Sequence, residues 1–164
     1  MHSESPMFLD IETNGLNPDT IWLAVTMQDG VIQEHCTPES LTSAIAGSFK
    51  VVGHNLLGFD LPVLERIWNV FVDKSRVEDT LVMSRLANPN REGGHSLANW
   101  GDALNFPKGD YKDWSQLTFE MIQYCIKDVQ VTAKVWERCK GELTLRKFST
   151  GSIDLEHQVQ AIIN

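Results

Sequence analysis

The chain has 164 residues, 42% of them hydrophobic, five Trp and a formal net charge of −8. That length and apolar content suit one domain with one buried core, and the acidity argues against tight binding of long duplex nucleic acid, which is normally held by Lys and Arg. No apolar run approaches bilayer-spanning length and the start MHSESPMF lacks the basic and apolar regions of a signal peptide, so we expect no membrane partner and a cytoplasmic location.

In chain order, Met7–Ile11 reads as a strand, followed by the turn-rich TNGLNPD. Two more strands, Ile21–Met27 and Val31–Cys36, are split by Asp29-Gly30, so the opening is a strand meander. Pro38-Glu39-Ser40 starts a short amphipathic helix, and Lys50–Gly53 is a brief buried strand. The pattern predicts a helix over Phe59–Trp68 with Pro62 in its first turn, where no intrahelical donor is lost. Val77 closes a fifth strand, and Asp79 or Thr80 caps a helix over Leu81–Ala87. After the loop Pro89–Gly94, a short helix is expected over Ser96–Leu104. The longest helix is expected from Gln116 to about Lys140, on the stripe Leu117, Met121, Cys125, Val129, Thr132 and Trp136, with Gly141 as its stop. Lys147–Ser152 reads as a linker and Ile153–Asn164 as a new amphipathic helix. This order is α/β, with a central mixed sheet flanked by helices.

Three groups of residues could carry chemistry. Asp10 and Glu12 lie two apart on one strand, so both carboxylates leave the same face about 7 Å apart, within reach of one hard cation such as magnesium or manganese. Capping of the following turn is the bland alternative. Asp60 falls near a predicted helix N-terminus, where capping would explain it, but capping does not explain Asn55 five residues earlier or Phe59 directly before it. Tyr124 and Asp128 stand at i and i+4 on one helix face, as an ordinary surface pair also would. Cys36, Cys125 and Cys139 form no CxxC pair and read as reduced structural thiols.

In order and spacing, Asp10-Ile11-Glu12-Thr13, then His54-Asn55-Leu56-Leu57-Gly58-Phe59-Asp60, then Tyr124-Cys125-Ile126-Lys127-Asp128 resemble the three exonuclease motifs of the DEDDy proofreading exonucleases. These are DnaQ-like enzymes of the ribonuclease H-like superfamily. The similarity is greater still to the exonuclease domain of short-tailed-phage family A DNA polymerases. Asp79–Leu86, Gly94–Leu97 with Trp100-Gly101, and Lys108–Lys112 look like that group, as does the five-residue gap from Asn55 to Asp60. Residues 7 to 140 are covered. Tyr124, with Gln123 where the other branch carries histidine, favours the tyrosine branch.

The resemblance implies a ribonuclease H-like domain over residues 1–145 with a central mixed five-stranded sheet flanked by helices. Residues 146–164 would be a linker and helical tail resembling the start of a polymerase portion, so the chain is either a polymerase fragment or a stand-alone exonuclease. Asp10, Glu12, Asp60 and Asp128 would hold two divalent cations, Mg²⁺ or Mn²⁺, and such metals would reverse the local field of an acidic protein. Tyr124 would orient the attacking water. Thr13, Leu16 and Asn55 would contact the single-stranded DNA 3′ end, which is hydrolysed 3′→5′ to 5′-mononucleotides. Proofreading beside a DNA polymerase portion or subunit, in a host cell cytoplasm if phage-encoded, would be the role. An RNA-directed exonuclease and a catalytically silent binding or assembly module stay open as alternatives.

Overall fold

The computed structural model describes residues 4–163. Five strands, β1 (Met7–Thr13), β2 (Ile21–Gln28), β3 (Val31–His35), β4 (Val51–Gly53) and β5 (Val77–Asp79), form one mixed sheet in the order β3-β2-β1-β4-β5. The first three are an antiparallel meander, turned at Asp29-Gly30, where both residues have positive φ (52° and 76°), as a two-residue hairpin turn requires. β4 runs parallel to β1, and β5 parallel to β4.

Helices cover both faces. They are α1 (Pro38–Ala46), α2 (three consecutive helical segments, Leu56–Asp60, Leu61–Val63 and Leu64–Trp68), α3 (Thr80–Ala87), α4 (Leu97–Ala103), α5 (Phe119–Leu145) and α6 (Thr150–Ile163), with a 3₁₀ turn at Lys74–Arg76. The alternation along β1 decides which side chains meet which helix. Met7, Leu9 and Ile11 join Leu41, Ile45, Leu56 and Leu61 in a core beneath α1 and α2. Phe8 points the other way, into a core with Leu23, Val25, Met121, Cys125 and Val129 under α5. A third cluster, including Met83, Leu97, Trp100, Val131 and Leu143, binds α3 and α4 to α5.

Several expected boundaries move, each for a physical reason. α2 starts at Leu56 rather than Phe59, so Asp60 lies inside the helix at φ −59°, ψ −49° and caps nothing. Its first and last segments are π-type, with Leu61 N–H bonded to the Leu56 carbonyl five residues back, a widening that accommodates Pro62 beyond the first turn. α5 starts after the Thr118 cap, leaving Leu117 exposed and outside the stripe. It also runs through Gly141 to Leu145. A mid-helix glycine costs about 1 kcal/mol, which burial of Leu143 beyond it offsets. The stop comes at Lys147, left-handed at φ 59°, with Lys147 N–H on the Thr144 carbonyl and Phe148 N–H on the Leu143 carbonyl, a Schellman ending. α6 begins at Thr150, shortening the expected linker, while Asn164 at the end of the expected last helix lies outside the described residues. β3 ends at His35, and β5 continues past Val77 to Asp79, which caps α3 by accepting from Leu81 N–H. No described helix is long and apolar enough to cross a membrane.

Gly53, at the end of β4, lies against the β1 backbone: a Cβ there would stand 3.0 Å from the Leu9 carbonyl oxygen and 2.7 Å from Leu56 Cδ1. Gly53→Ala is expected to destabilise the fold by about 1–3 kcal/mol, since the backbone oxygen cannot step aside. Urea denaturation would read this, and an unchanged midpoint would contradict the close approach.

Candidate active site

The parallel strands β1, β4 and β5 all point their carboxyl ends toward one edge of the sheet, the usual place for a site in an open α/β sheet. β1 carries Asp10 and Glu12 on the α5 side, the same side as Phe8, and its register against β2 slips between Glu12 and Thr13, a local bulge of a kind common beside active sites. β4 pairs with β1 only at Met7 and Phe8, so the second half of β1 has a free edge on that side. Asp60 enters this gap from α2, and its Oδ2 accepts the Ile11 N–H at 3.2 Å.

From the other side α5 presents Tyr124, Cys125 and Asp128. Candidate ligand atoms of Asp10, Glu12 and Cys125 lie within 4.8 Å of one another, and the Cys125 thiol donates to Asp10 Oδ2 at 3.3 Å. Glu12, Asp60 and Asp128 are buried and Asp10 half-buried. The structure therefore brings Asp10, Glu12, Asp60, Asp128 and Tyr124 together. Thr13 is buried beside them with its hydroxyl on the Gly15 carbonyl at 2.8 Å, Leu16 stands 95% exposed on the turn after β1, and Asn55 is exposed with a left-handed φ of 58°.

Burial dominates the electrostatics, and crowding adds to it at Asp10, Glu12 and Asp60. Burial, then repulsion from Asp128, pushes the Asp10 carboxyl up to about 8. Burial, then Asp10 and Asp128, pushes Glu12 up to about 10. Asp60 is held well above the usual carboxylate range by burial and then by Asp10 and Asp79. Asp128 rises to about 6 through burial, and the Lys108 ammonium 2.8 Å from its Oδ2 restrains it. Burial likewise raises the Tyr124 phenol.

Three residues of this arrangement, Lys108, Tyr111 and Trp114, were given no role at the site from the sequence, although Lys108–Lys112 carried part of the resemblance. Lys108 comes from the irregular stretch between α4 and α5, pairs with Asp128, and sits 4.6 Å from the centre of the Tyr124 ring. Tyr111 and Trp114 of the same stretch pack on Tyr124 with ring centroids 5.7 and 5.8 Å away. Nothing in the local sequence says that this stretch folds back over α5. Cys125 did carry a signal: it stands three residues before Asp128 and so shares its face.

The donor set fits a hard divalent cation, being rich in carboxylate oxygen. Among the described residues, Asp128 Oδ1 is a buried side-chain oxygen with no hydrogen-bond partner, an acceptor that a cation would satisfy.

No family model matches the chain. The DNA-directed DNA polymerase of Escherichia phage T7 is 26% identical over an alignment of 219 residues that takes in 91% of this chain and 30% of the polymerase, so the chain spans under a third of that relative's length. Among solved structures, Brucella melitensis NrnC with bound Mg²⁺ superposes with a TM-score of 0.76 at 20% identity, covering 96% of this chain and 82% of that one. The catalytic core of RRP6 from Trypanosoma brucei, mutant C496S, gives 0.69 at 17% identity, covering 96% and 47%. The fold is the ribonuclease H-like fold of the DnaQ-like exonucleases, and the sequence likeness to the phage polymerase points the same way.

The raised carboxyls make a pH prediction. At low pH, below the unfolded values near 4, Asp10 and Glu12 are protonated in both states. As pH rises toward the folded values of about 8 and about 10, the unfolded chain has released protons that these two groups keep, so they make stability fall with pH. Metal-free protein should show this decline in its thermal midpoint between about pH 5 and about pH 9, and an Asp10→Asn/Glu12→Gln double variant should flatten it. An equal slope in the double variant would refute the assignment.

Proposed function

We propose that the chain is a 3′→5′ exonuclease acting on single-stranded DNA ends, with Asp10, Glu12, Asp60 and Asp128 holding two divalent cations, Mg²⁺ or Mn²⁺. The observation that carries this reading is the convergence of four carboxylates, from β1, α2 and α5, at the carboxyl end of the parallel strands. Burial raises all four above the ordinary carboxylate range, and repulsion from neighbouring carboxylates adds to it at Asp10, Glu12 and Asp60. A buried acid cluster of this kind is costly and gains nothing for the fold alone, which disfavours a silent module. Bound cations would supply the charge that makes the carboxylates ionise together, lowers the pKa of the attacking water and offsets the charge developing on the phosphate.

The chain's own groups take the remaining tasks. Tyr124, braced by Tyr111, Trp114 and Lys108, orients the attacking water through its hydroxyl; with a raised pKa it is a poor base at neutral pH. The bare Leu16 side chain packs on the terminal base, which is a sequence-tolerant contact. Asn55 reaches the strand from its exposed turn, and Thr13 shapes the turn that carries Leu16. The products are 5′-mononucleotides. On this reading residues 1–145 carry the nuclease and 146–164 the tail, and a DNA polymerase portion or subunit is the partner in a proofreading role, supported by the likeness to the phage polymerase.

A 3′-end digestion assay with matched DNA and RNA oligonucleotides, with and without Mg²⁺ or Mn²⁺, tests this. Release of mononucleotides from DNA should require the metal and fall by about 10³-fold or more in Asp10→Ala and Asp128→Ala with the fold retained, while Tyr124→Phe should cost about 10- to 100-fold. Full activity in either Ala variant would sink the proposal. Preferential digestion of RNA would move the substrate to the RNA class.

A further inference from the structure

Asp60 depends on a turn that is held from behind by a buried hydrogen-bond chain. Asn55 is left-handed, the helix that bears Asp60 starts at the next residue, and Asp79 at the end of β5 clamps this corner. The Asp79 side chain, 1% exposed, accepts the Asn55 N–H on Oδ1 at 2.9 Å and the Leu57 N–H on Oδ2 at 3.0 Å, while Oδ1 also takes the Leu81 N–H that caps α3. Asp79 is itself held through its backbone: its N–H donates to His157 Nε2 of α6 at 2.9 Å.

The roles of the imidazole nitrogens follow from their partners. A backbone N–H can only donate, so Nε2 accepts, and the proton is on Nδ1, which donates to the Ile153 carbonyl 2.8 Å away in the same helix. His157 is the buried residue of α6, which also packs against α3, β5, the 3₁₀ turn and the first segment of α2. Ile153 and Ala161 add apolar contacts to the cores on either side.

We infer that Asp79 and His157 are positioning residues of the nuclease site: the α6 imidazole holds the β5–α3 junction, and its carboxylate holds the Asn55–Leu57 turn that aims Asp60. This rests on the exonuclease reading proposed above. Asp60 stands three residues beyond Leu57, within one helical turn, so a shift of the corner is passed to the carboxylate with little loss. A misplacement of about 1 Å can cost on the order of 10²-fold in rate. The geometry of the site is therefore conditional on the docking of the last helix.

The test uses the full chain and three variants, His157→Leu, His157→Gln and Asp79→Asn, assayed well below their unfolding midpoints. Gln can place an acceptor oxygen near the position of Nε2, whereas Leu cannot. His157→Leu should lower kcat by about tenfold or more, a larger change than any rise in KM from the Asn55 contact, and should speed amide hydrogen exchange at Asn55 and Leu57, with both effects reversed in His157→Gln. Asp79→Asn should act in the same direction with α6 still docked. A lowered midpoint with wild-type kcat and exchange, or faster exchange with wild-type kcat, overturns the inference by reducing the chain of contacts to a structural role. If the wild-type protein releases no nucleotides, the exonuclease reading fails first, and the exchange comparison still tells whether His157 holds the Asn55–Leu57 turn.

Discussion

Four carboxyl groups crowded at one edge of a sheet are the constraint to which the surrounding structure answers. Asp10 and Glu12 arrive on β1, Asp60 on α2 and Asp128 on α5, and each is raised first by burial. The compensating groups are few: the Ile11 N–H on Asp60, the Cys125 thiol on Asp10, and the Lys108 ammonium on Asp128. With so little compensation the cluster is poised to take up positive charge, and Asp128 Oδ1 is still without a partner. Lys108 supplies part of that charge from within the chain, and it does so while lying over the ring of Tyr124, so one cation ties the third motif's two side chains together.

The sheet makes room for this cluster by being incomplete. β4 is three residues long and pairs with β1 over two positions, so the Ile11 N–H has no strand beside it and is free for Asp60. Gly53 then lets the chain leave β4 close against Leu9, and the left-handed Asn55 turns it directly into α2. The π-type turns of α2 follow from the same economy of space: they carry Asp60 inward and tolerate Pro62 in the helix. Behind them, Asp79 satisfies two N–H groups that the tight corner would otherwise bury unpaired.

A net charge of −8 is compatible with the proposed action on a nucleic-acid strand end, because the grip needed there is local. On the proposed reading, cations held by the carboxylates would serve the reacting phosphate, while the exposed Leu16 would offer an apolar surface indifferent to base identity. The chain is similar in sequence to part of a phage DNA polymerase and in fold to the core of RRP6, and a fold shared so widely does not by itself fix a substrate.

Much of this was legible in the order of residues. The meander, the amphipathic helices and the three carboxylate-bearing motifs depend on short-range spacing: a period of two puts Asp10 and Glu12 on one strand face, and four residues put Tyr124 and Asp128 on one helix face. The sequence also pointed to Thr13, Leu16 and Asn55 near that site, though it left open what each would touch. Only the tertiary structure decided that Asp60 sits inside a widened helix instead of capping one, because the free edge of β1 is a property of how far β4 pairs. It alone brought Lys108 onto Asp128 across 20 residues of chain, and His157 onto Asp79 across 78. Contacts of that range leave no periodic trace, since they are set by where helices dock and not by the spacing of residues along them.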